Sequence, residues 1–161
     1  MPSILFVCTG NRCRSPLAAA IFTRLLQEKG RAQAWQVESA GTWARSGLGA
    51  DPLTQAAGEQ IGLDISQHRT RSVEEVSLGD YDLIVVMEGG HKEALGVEFP
   101  EIASRIHLLT HLAGEIEDVP DPSGQEASFH RDVANELVGL IGPAFGPICD
   151  LAGSTASGAA I

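Results

Sequence analysis

The sequence predicts an α/β fold built on a parallel sheet of four strands. Three observations carry this. Short apolar runs alternate with longer segments of helical periodicity. The first run ends in a tight polar loop that feeds a helix. The chain has 161 residues, enough for one domain with one core.

Residues Ser3 to Val7 form an apolar run that ends at Cys8 and read as a buried strand. Thr9-Gly10-Asn11-Arg12-Cys13-Arg14 follows as a polar loop. Ser15-Pro16 then opens a helix, with Ser as N-cap and Pro at the first helical position. Leu17, Ile21 and Leu25, flanked by Ala18, Phe22 and Leu26, mark its buried face, and Gly30 can end it. Trp35 to Glu38 alternates as a second strand, and Leu53 to Ile61 reads as a helix. Tyr81 to Met87 is the clearest buried strand, with a short helix from Gly89 to Leu95. Arg105 to Leu109 gives a fourth strand, and Gln125 to Ile141 a last helix with Phe129, Val133, Leu137 and Ile141 on one stripe. Residues 1–141 form the predicted domain. Residues 142–161, rich in Gly, Ala, Ser and Pro, are expected to be a poorly ordered tail in large part.

Composition narrows the function classes. The net charge is −10 and the pI about 4.8, so the chain repels nucleic acid and anionic membranes at long range. No run of about 18 apolar residues indicates a membrane span. The N-terminal segment lacks a basic n-region, and the expected location is the cytoplasm. The three cysteines, Cys8, Cys13 and Cys149, are odd in number and argue against a disulfide scaffold. An anion bound by such an acidic chain needs a local basic pocket.

The first loop supplies one. Cys8 and Arg14 are separated by five residues, and Ser15 follows. A loop leaving a strand and entering a helix turns successive backbone N–H groups inward, which suits a phosphate dianion bound by residues Thr9, Gly10, Asn11, Arg12, Cys13 and Arg14. Gly10 permits a sharp backbone path. Arg14 offers a planar fork for two phosphate oxygens. These dipoles and the arginine favour the thiolate form of Cys8, and Ser15 can donate a hydrogen bond to it. Attack on phosphorus then gives a cysteinyl-phosphate that water hydrolyses. A lone cysteine at a strand end would be read as a buried packing residue; the Cys-x5-Arg-Ser spacing between strand and helix changes that reading. The candidate proton donor is Asp121 in Val119-Pro120-Asp121-Pro122-Ser123-Gly124. Taken alone, this segment reads better as a Pro-flanked turn.

Together these residues resemble the low-molecular-weight protein tyrosine phosphatase family. Cys8-Thr9-Gly10-Asn11-Arg12-Cys13-Arg14-Ser15-Pro16 is similar to its signature loop. Ser39-Ala40-Gly41-Thr42, Ile65-Ser66-Gln67-His68-Arg69 and Asp121-Pro122 resemble its further motifs, in order, between about residues 3 and 141. The resemblance implies a flavodoxin-like sheet with helices on both faces. It makes Cys8 the nucleophile, Arg14 the phosphate clamp, Ser15 the thiolate's assistant and Asp121 the general acid. Asn11, Ser39 and His68 would support the loop, and Cys13 would trap oxidised Cys8 as a reversible disulfide. The family uses no metal or organic cofactor. A phosphotyrosine protein would be the substrate of a monomeric enzyme, and a bacterial tyrosine kinase is a candidate partner. His91, His107, His111 and His130 form no ligand pattern and read as surface or cap residues.

The sequence also departs from the family pattern. Ser123 stands where an aromatic wall of the substrate site is usual, leaving Trp43 to supply the opposite wall. Arg12 replaces a small aliphatic residue, and Arg45, Arg69 and Arg71 extend a basic rim. Met87-Glu88 fits the family's Met-acid pair, whereas Gly89-Gly90-His91 adds nothing to it. Three alternatives stand beside a tyrosine phosphatase. A protein-arginine phosphatase shares the Cys-Thr-Gly-Asn opening, but Arg12 would repel a phosphoguanidinium. An arsenate reductase would need resolving cysteines, and only Cys149 lies beyond the loop. A phosphopeptide binder without turnover would have no use for Cys8 and Asp121 together.

Overall fold

The computed structural model describes residues 1–158. Its sheet has four parallel strands in the order β2-β1-β3-β4. These are β1 (Ser3–Cys8), β2 (Gln36–Gly41), β3 (Leu83–Val86) and β4 (Ile106–Leu108). The helices are α1 (Arg14–Glu28), α2 (Pro52–Gln60), α3 (Gly89–Glu98), α4 (Leu109–Leu112) and α5 (Ala127–Gly158). Side-chain alternation along the strands builds two cores. Ile4, Phe6, Leu83 and Val85 pack with α1 and α5, while Leu5, Val7, Ile84 and Val86 pack with Leu95 of α3 and Ile102. Helices therefore cover both faces, as a parallel sheet requires.

The strand order places the functional end of the molecule. From β1 the chain moves to one neighbour, β2, and then crosses to the other, β3. The crevice outside the carboxyl ends of β1 and β3 is the topological switch point at which such sheets bind ligands. Cys8 closes β1, and Met87-Glu88 follows β3 there.

Element boundaries shift at several points. Ser15 is not the N-cap of α1; that position is Cys13, and Ser15 lies buried inside the first turn. Its hydroxyl bonds Cys8 instead of a helix amide. The larger correction concerns residues 142–158, expected as a loose tail. They continue α5, and Ala144, Phe145, Ile148 and Ala152 are buried in the core. Pro143 and Pro147 lie inside this helix, each removing a backbone donor. The apolar spacing Val133, Leu137, Ile141, Ala144, Ile148, Ala152 runs straight through them. Packing of that stripe against α1 and α2 overrides the local propensity cost. Residues 159–161 of the expected tail lie outside the described residues. By length and composition α5 is apolar enough to cross a membrane, but its apolar stripe is spent on this core.

Phe145 anchors the extension. Its ring centroid lies 5.2 Å from that of Phe22, which also meets Trp35 at 5.3 Å and Phe6 at 5.8 Å. Phe145→Ala is therefore expected to lower the unfolding free energy by about 3 kcal/mol in urea titration. A loose tail would leave the midpoint unchanged.

Candidate active site

The loop between β1 and α1 is fixed from outside through its carbonyls. Those of Cys8, Thr9, Arg12 and Cys13 accept from the amides of Thr42, Trp43, Asp51 and Leu17. The Asn11 carbonyl accepts from His68 Nε2 at 2.6 Å. Among the described residues, the N–H groups of Gly10 to Cys13 donate to no protein acceptor. Unpartnered amides in a strand-to-helix loop are what an anion nest requires. Gly41 makes the close approach of β2 possible, since a Cβ there would stand 2.4 Å from the Thr9 carbonyl oxygen.

The sharp turn falls at Asn11, not at Gly10. Asn11 has φ of 57°, the only non-glycine in the left-handed region among the described residues. Its side chain holds the strained conformation. Nδ2 donates to Ser15 Oγ at 2.8 Å and to Ser39 Oγ at 3.0 Å, while Oδ1 accepts from the Arg71 amide at 3.0 Å. Asn11, Ser39 and His68 thus meet in one network. Arg71 joins it although the sequence pattern gave it only a place on the rim. The Arg71 side chain bonds the Ser39 carbonyl and pairs with Glu38 at 2.7 Å. Burial lowers the pKa of His68, an effect that Arg69 and Arg71 reinforce against the Asn11 carbonyl.

Cys8 sits buried at the floor, with Sγ 3.0 Å from Ser15 Oγ. One lone pair of that hydroxyl is occupied by Asn11 Nδ2. The hydroxyl hydrogen is then left for the sulfur or for the Ala40 carbonyl at 3.4 Å.

Arg14 is only 1% exposed. Nη1 donates to Glu88 Oε2 and to the Val119 carbonyl, both at 2.8 Å. Nη2 lies 3.5 Å from Thr9 Oγ1 and 3.7 Å from Asp121 Oδ2. Nε is buried without a partner. A buried, unpaired donor on a guanidinium is costly, and a phosphate oxygen in the nest is the acceptor that would satisfy it.

The acid loop is held against the same centre. The Val119 amide donates to the Met87 carbonyl at 3.0 Å, and Asp118 Oδ1 accepts from the Gly89 amide at 2.9 Å. Asp121 Oδ1 accepts from the Ser123 amide at 3.0 Å, leaving Oδ2 on the Arg14 side. Ser123 therefore serves as the turn that orients Asp121, with its hydroxyl 3.7 Å from Cys13 Sγ; it presents no wall. Trp43 is 87% exposed beside the loop, its amide bonded to Thr9. Arg12 is partly exposed, and its Nε bonds the Gly49 carbonyl at 3.1 Å. Burial pushes the Cys13 thiol up to about 11, so at neutral pH it is protonated and a poor attacking group.

His91 caps α3 and His111 lies on the surface, as expected; His130 is a correction, being buried inside the core instead. His130, on α5, has Nδ1 2.8 Å from Thr54 Oγ1 of α2, and Thr54 in turn bonds the thiol of Cys13 in the loop. His91 stands at the head of α3, with Nε2 2.8 Å from Thr9 Oγ1. Glu88, noted in sequence only as half of the Met-acid pair, and His91, read as a surface or cap residue, both reach the loop; the signal for this was their place just beyond the carboxyl end of β3.

Comparison with known proteins places this geometry in context. Residues 3–140 match the family model described as low molecular weight phosphotyrosine protein phosphatase. A low molecular weight protein-tyrosine-phosphatase of Streptomyces coelicolor is 39% identical, the alignment covering 74% of this chain and 76% of the relative. A protein-arginine-phosphatase of Geobacillus stearothermophilus is 33% identical over 86% of this chain and 90% of its own length. Among solved structures, a low molecular weight protein tyrosine phosphatase from T. tengcongensis superposes with a TM-score of 0.84 at 36% identity, covering 91% of this chain and 99% of that one.

Proposed function

The chain belongs to the low molecular weight phosphotyrosine protein phosphatase family, and from that premise we propose that it hydrolyses phosphotyrosine in proteins through a phosphate ester of Cys8. One observation supports this reading most strongly. Cys8 Sγ lies 3.0 Å from the Ser15 hydroxyl, under a loop whose amides and Arg14 Nε have no protein acceptor.

The chemistry follows from these positions. The phosphate dianion enters the nest, its oxygens bound by the loop amides and the Arg14 fork. The Cys8 thiolate attacks phosphorus in line with the tyrosyl oxygen, forming the S–P bond as the P–O bond breaks. Asp121, protonated, gives its proton to the leaving oxygen. Its carboxylate then takes a proton from water, which attacks phosphorus and breaks the S–P bond. Inorganic phosphate departs, and the sulfur returns to a thiolate stabilised by Ser15. Asn11, Ser39 and His68 keep the loop in shape for both steps. Cys13 is the candidate resolving thiol, slowed at neutral pH by its raised pKa.

Trp43 offers its exposed ring to the substrate's aromatic group. The arginine-phosphatase relative makes phosphoarginine the second substrate to consider. Arg12, held at the rim by Gly49, places a positive charge where a phosphoguanidinium would meet repulsion. Cys149 gives little support to arsenate reduction. It lies 3.9 Å from Arg31, which precedes β2 at the opposite end of the sheet from Cys8. The relatives named as phosphatases imply phosphoprotein substrates. We place the chain in the cytoplasm as a monomer, with a tyrosine kinase as candidate substrate. Parallel assays with matched phosphotyrosine and phosphoarginine peptides test the preference. Phosphotyrosine is expected to give at least about a tenfold higher kcat/KM; the reverse order would overturn the substrate assignment.

A further inference from the structure

We propose that His91 is a positioning residue of the catalytic centre: acting through Thr9 and Glu88, it sets the plane of the Arg14 guanidinium that binds the phosphoryl oxygens. The proposal rests on the phosphatase reading of the loop, and it concerns a residue with no place in the signature motifs.

The hydrogen bonds fix the state of the ring. His91 is 7% exposed. Its Nδ1 accepts from the Glu88 amide at 3.2 Å, so the ring proton resides on Nε2. Nε2 then donates to Thr9 Oγ1 at 2.8 Å, with Glu88 Oε2 a longer neighbour at 3.4 Å. Both partners of His91 are also partners of Arg14. Thr9 Oγ1 faces Nη2 at 3.5 Å, and Glu88 Oε2 accepts from Nη1 at 2.8 Å. The imidazole thus ties the first residue of the loop to the carboxylate beyond β3, and the guanidinium lies across that tie. A planar fork matches phosphate oxygens only in one orientation, so a tilt of that plane weakens binding of the transition state more than binding of the substrate.

The working form is the neutral ring. Facing it are Glu88 at the head of α3, Arg14 from α1, and Asp118 and Asp121 from the loop ahead of α5. Burial disfavours the imidazolium, and the Arg14 charge acts in the same sense. The three carboxylates oppose them, but the balance leaves the pKa below the ordinary histidine value. When pH falls through that lowered value, Nδ1 gains a proton and turns a donor toward the Glu88 amide, which is itself a donor. The bond breaks, and kcat is expected to fall with it.

Two substitutions separate positioning from simple helix capping. In His91→Gln the side-chain amide nitrogen reaches the place of Nε2 and keeps the donor to Thr9. In His91→Asn the side-chain oxygen reaches the place of Nδ1 and keeps the acceptor for the Glu88 amide. With an aryl phosphate as substrate, His91→Asn is expected to lower kcat about tenfold, the effect of one hydrogen bond, with little change in KM. His91→Gln is expected to retain most of kcat, and both variants lose one ionisation from the acid limb of the pH–kcat profile. Adding Thr9→Val to His91→Asn is expected to cost less than the two single effects multiplied. The opposite ranking, with Asn retaining kcat and Gln losing it, would reduce His91 to a cap of α3 and overturn the proposal. So would wild-type kcat and pH profile in both variants. Ring nitrogen NMR on the wild type tests the same point without substitution: the Nε2–H tautomer is expected, and the Nδ1–H tautomer contradicts it. If wild type itself fails to hydrolyse any phosphomonoester, the phosphatase reading falls and this proposal falls with it. An active wild type with unaffected variants defeats only the role of His91.

Discussion

Cys8→Ser is expected to abolish turnover, lowering kcat at least about 10⁴-fold, while inorganic phosphate still binds. The geometry places the sulfur at the floor of the nest, 3.0 Å from the Ser15 hydroxyl that can donate to it. A serine oxygen fits the same space but stays a neutral alcohol, with no base beside it to take its proton. The anion site is built from other parts, namely the unpartnered loop amides and Arg14, and these are untouched. Removing the thiolate also removes a negative charge from beneath the phosphate, so affinity holds or rises. Steady-state hydrolysis and phosphate titration by calorimetry check the two halves separately. Loss of binding together with turnover would mean that the loop had collapsed. Retained turnover would end the nucleophile assignment.

Asp121→Asn is expected to lower kcat on phosphotyrosine peptides by about 10²–10³-fold. Asparagine keeps the shape and can still accept from the Ser123 amide, so the loop stays in register. What it loses is the proton for the leaving oxygen and, in the second step, the base for water. The loss therefore depends on the leaving group. A phenol of low pKa departs without protonation, so the first step with an activated aryl phosphate suffers much less than with phosphotyrosine. An equal loss of kcat/KM, which reports the first step, on both substrates would assign Asp121 to structure.

The centre of the candidate site is legible in the sequence because it is local. Strand, loop and first helix occupy one contiguous stretch, and the Cys8, Arg14 and Ser15 spacing has a direct physical meaning there. The contacts without a sequence signal come from far along the chain. Arg71, Glu88 and the Val119 carbonyl reach Asn11 and Arg14 only because the parallel register aligns the carboxyl ends of β1, β2 and β3. His91 lies in the helix read from Gly89 to Leu95, but a lone histidine there carries no motif signal. Gly10 attracted the turn because glycine tolerates any backbone. Asn11 takes it instead, since its amide can hold the left-handed conformation with three side-chain bonds. The end of α5 was misread because proline and glycine were weighed and the apolar stripe was not. There, burial of Ala144, Phe145, Ile148 and Ala152 decides the outcome.

The central claim is a covalent phosphate on Cys8. Asp121→Asn should accumulate it, because the second step loses its base while an activated aryl phosphate still loads the first. Rapid acid quench of that variant during turnover, followed by peptide mass spectrometry, reads it directly. The account predicts one phosphoryl group on the peptide that carries Cys8, absent when Cys8→Ser is added. Turnover with no phosphoryl group on the protein, or with the group on another residue, would contradict it.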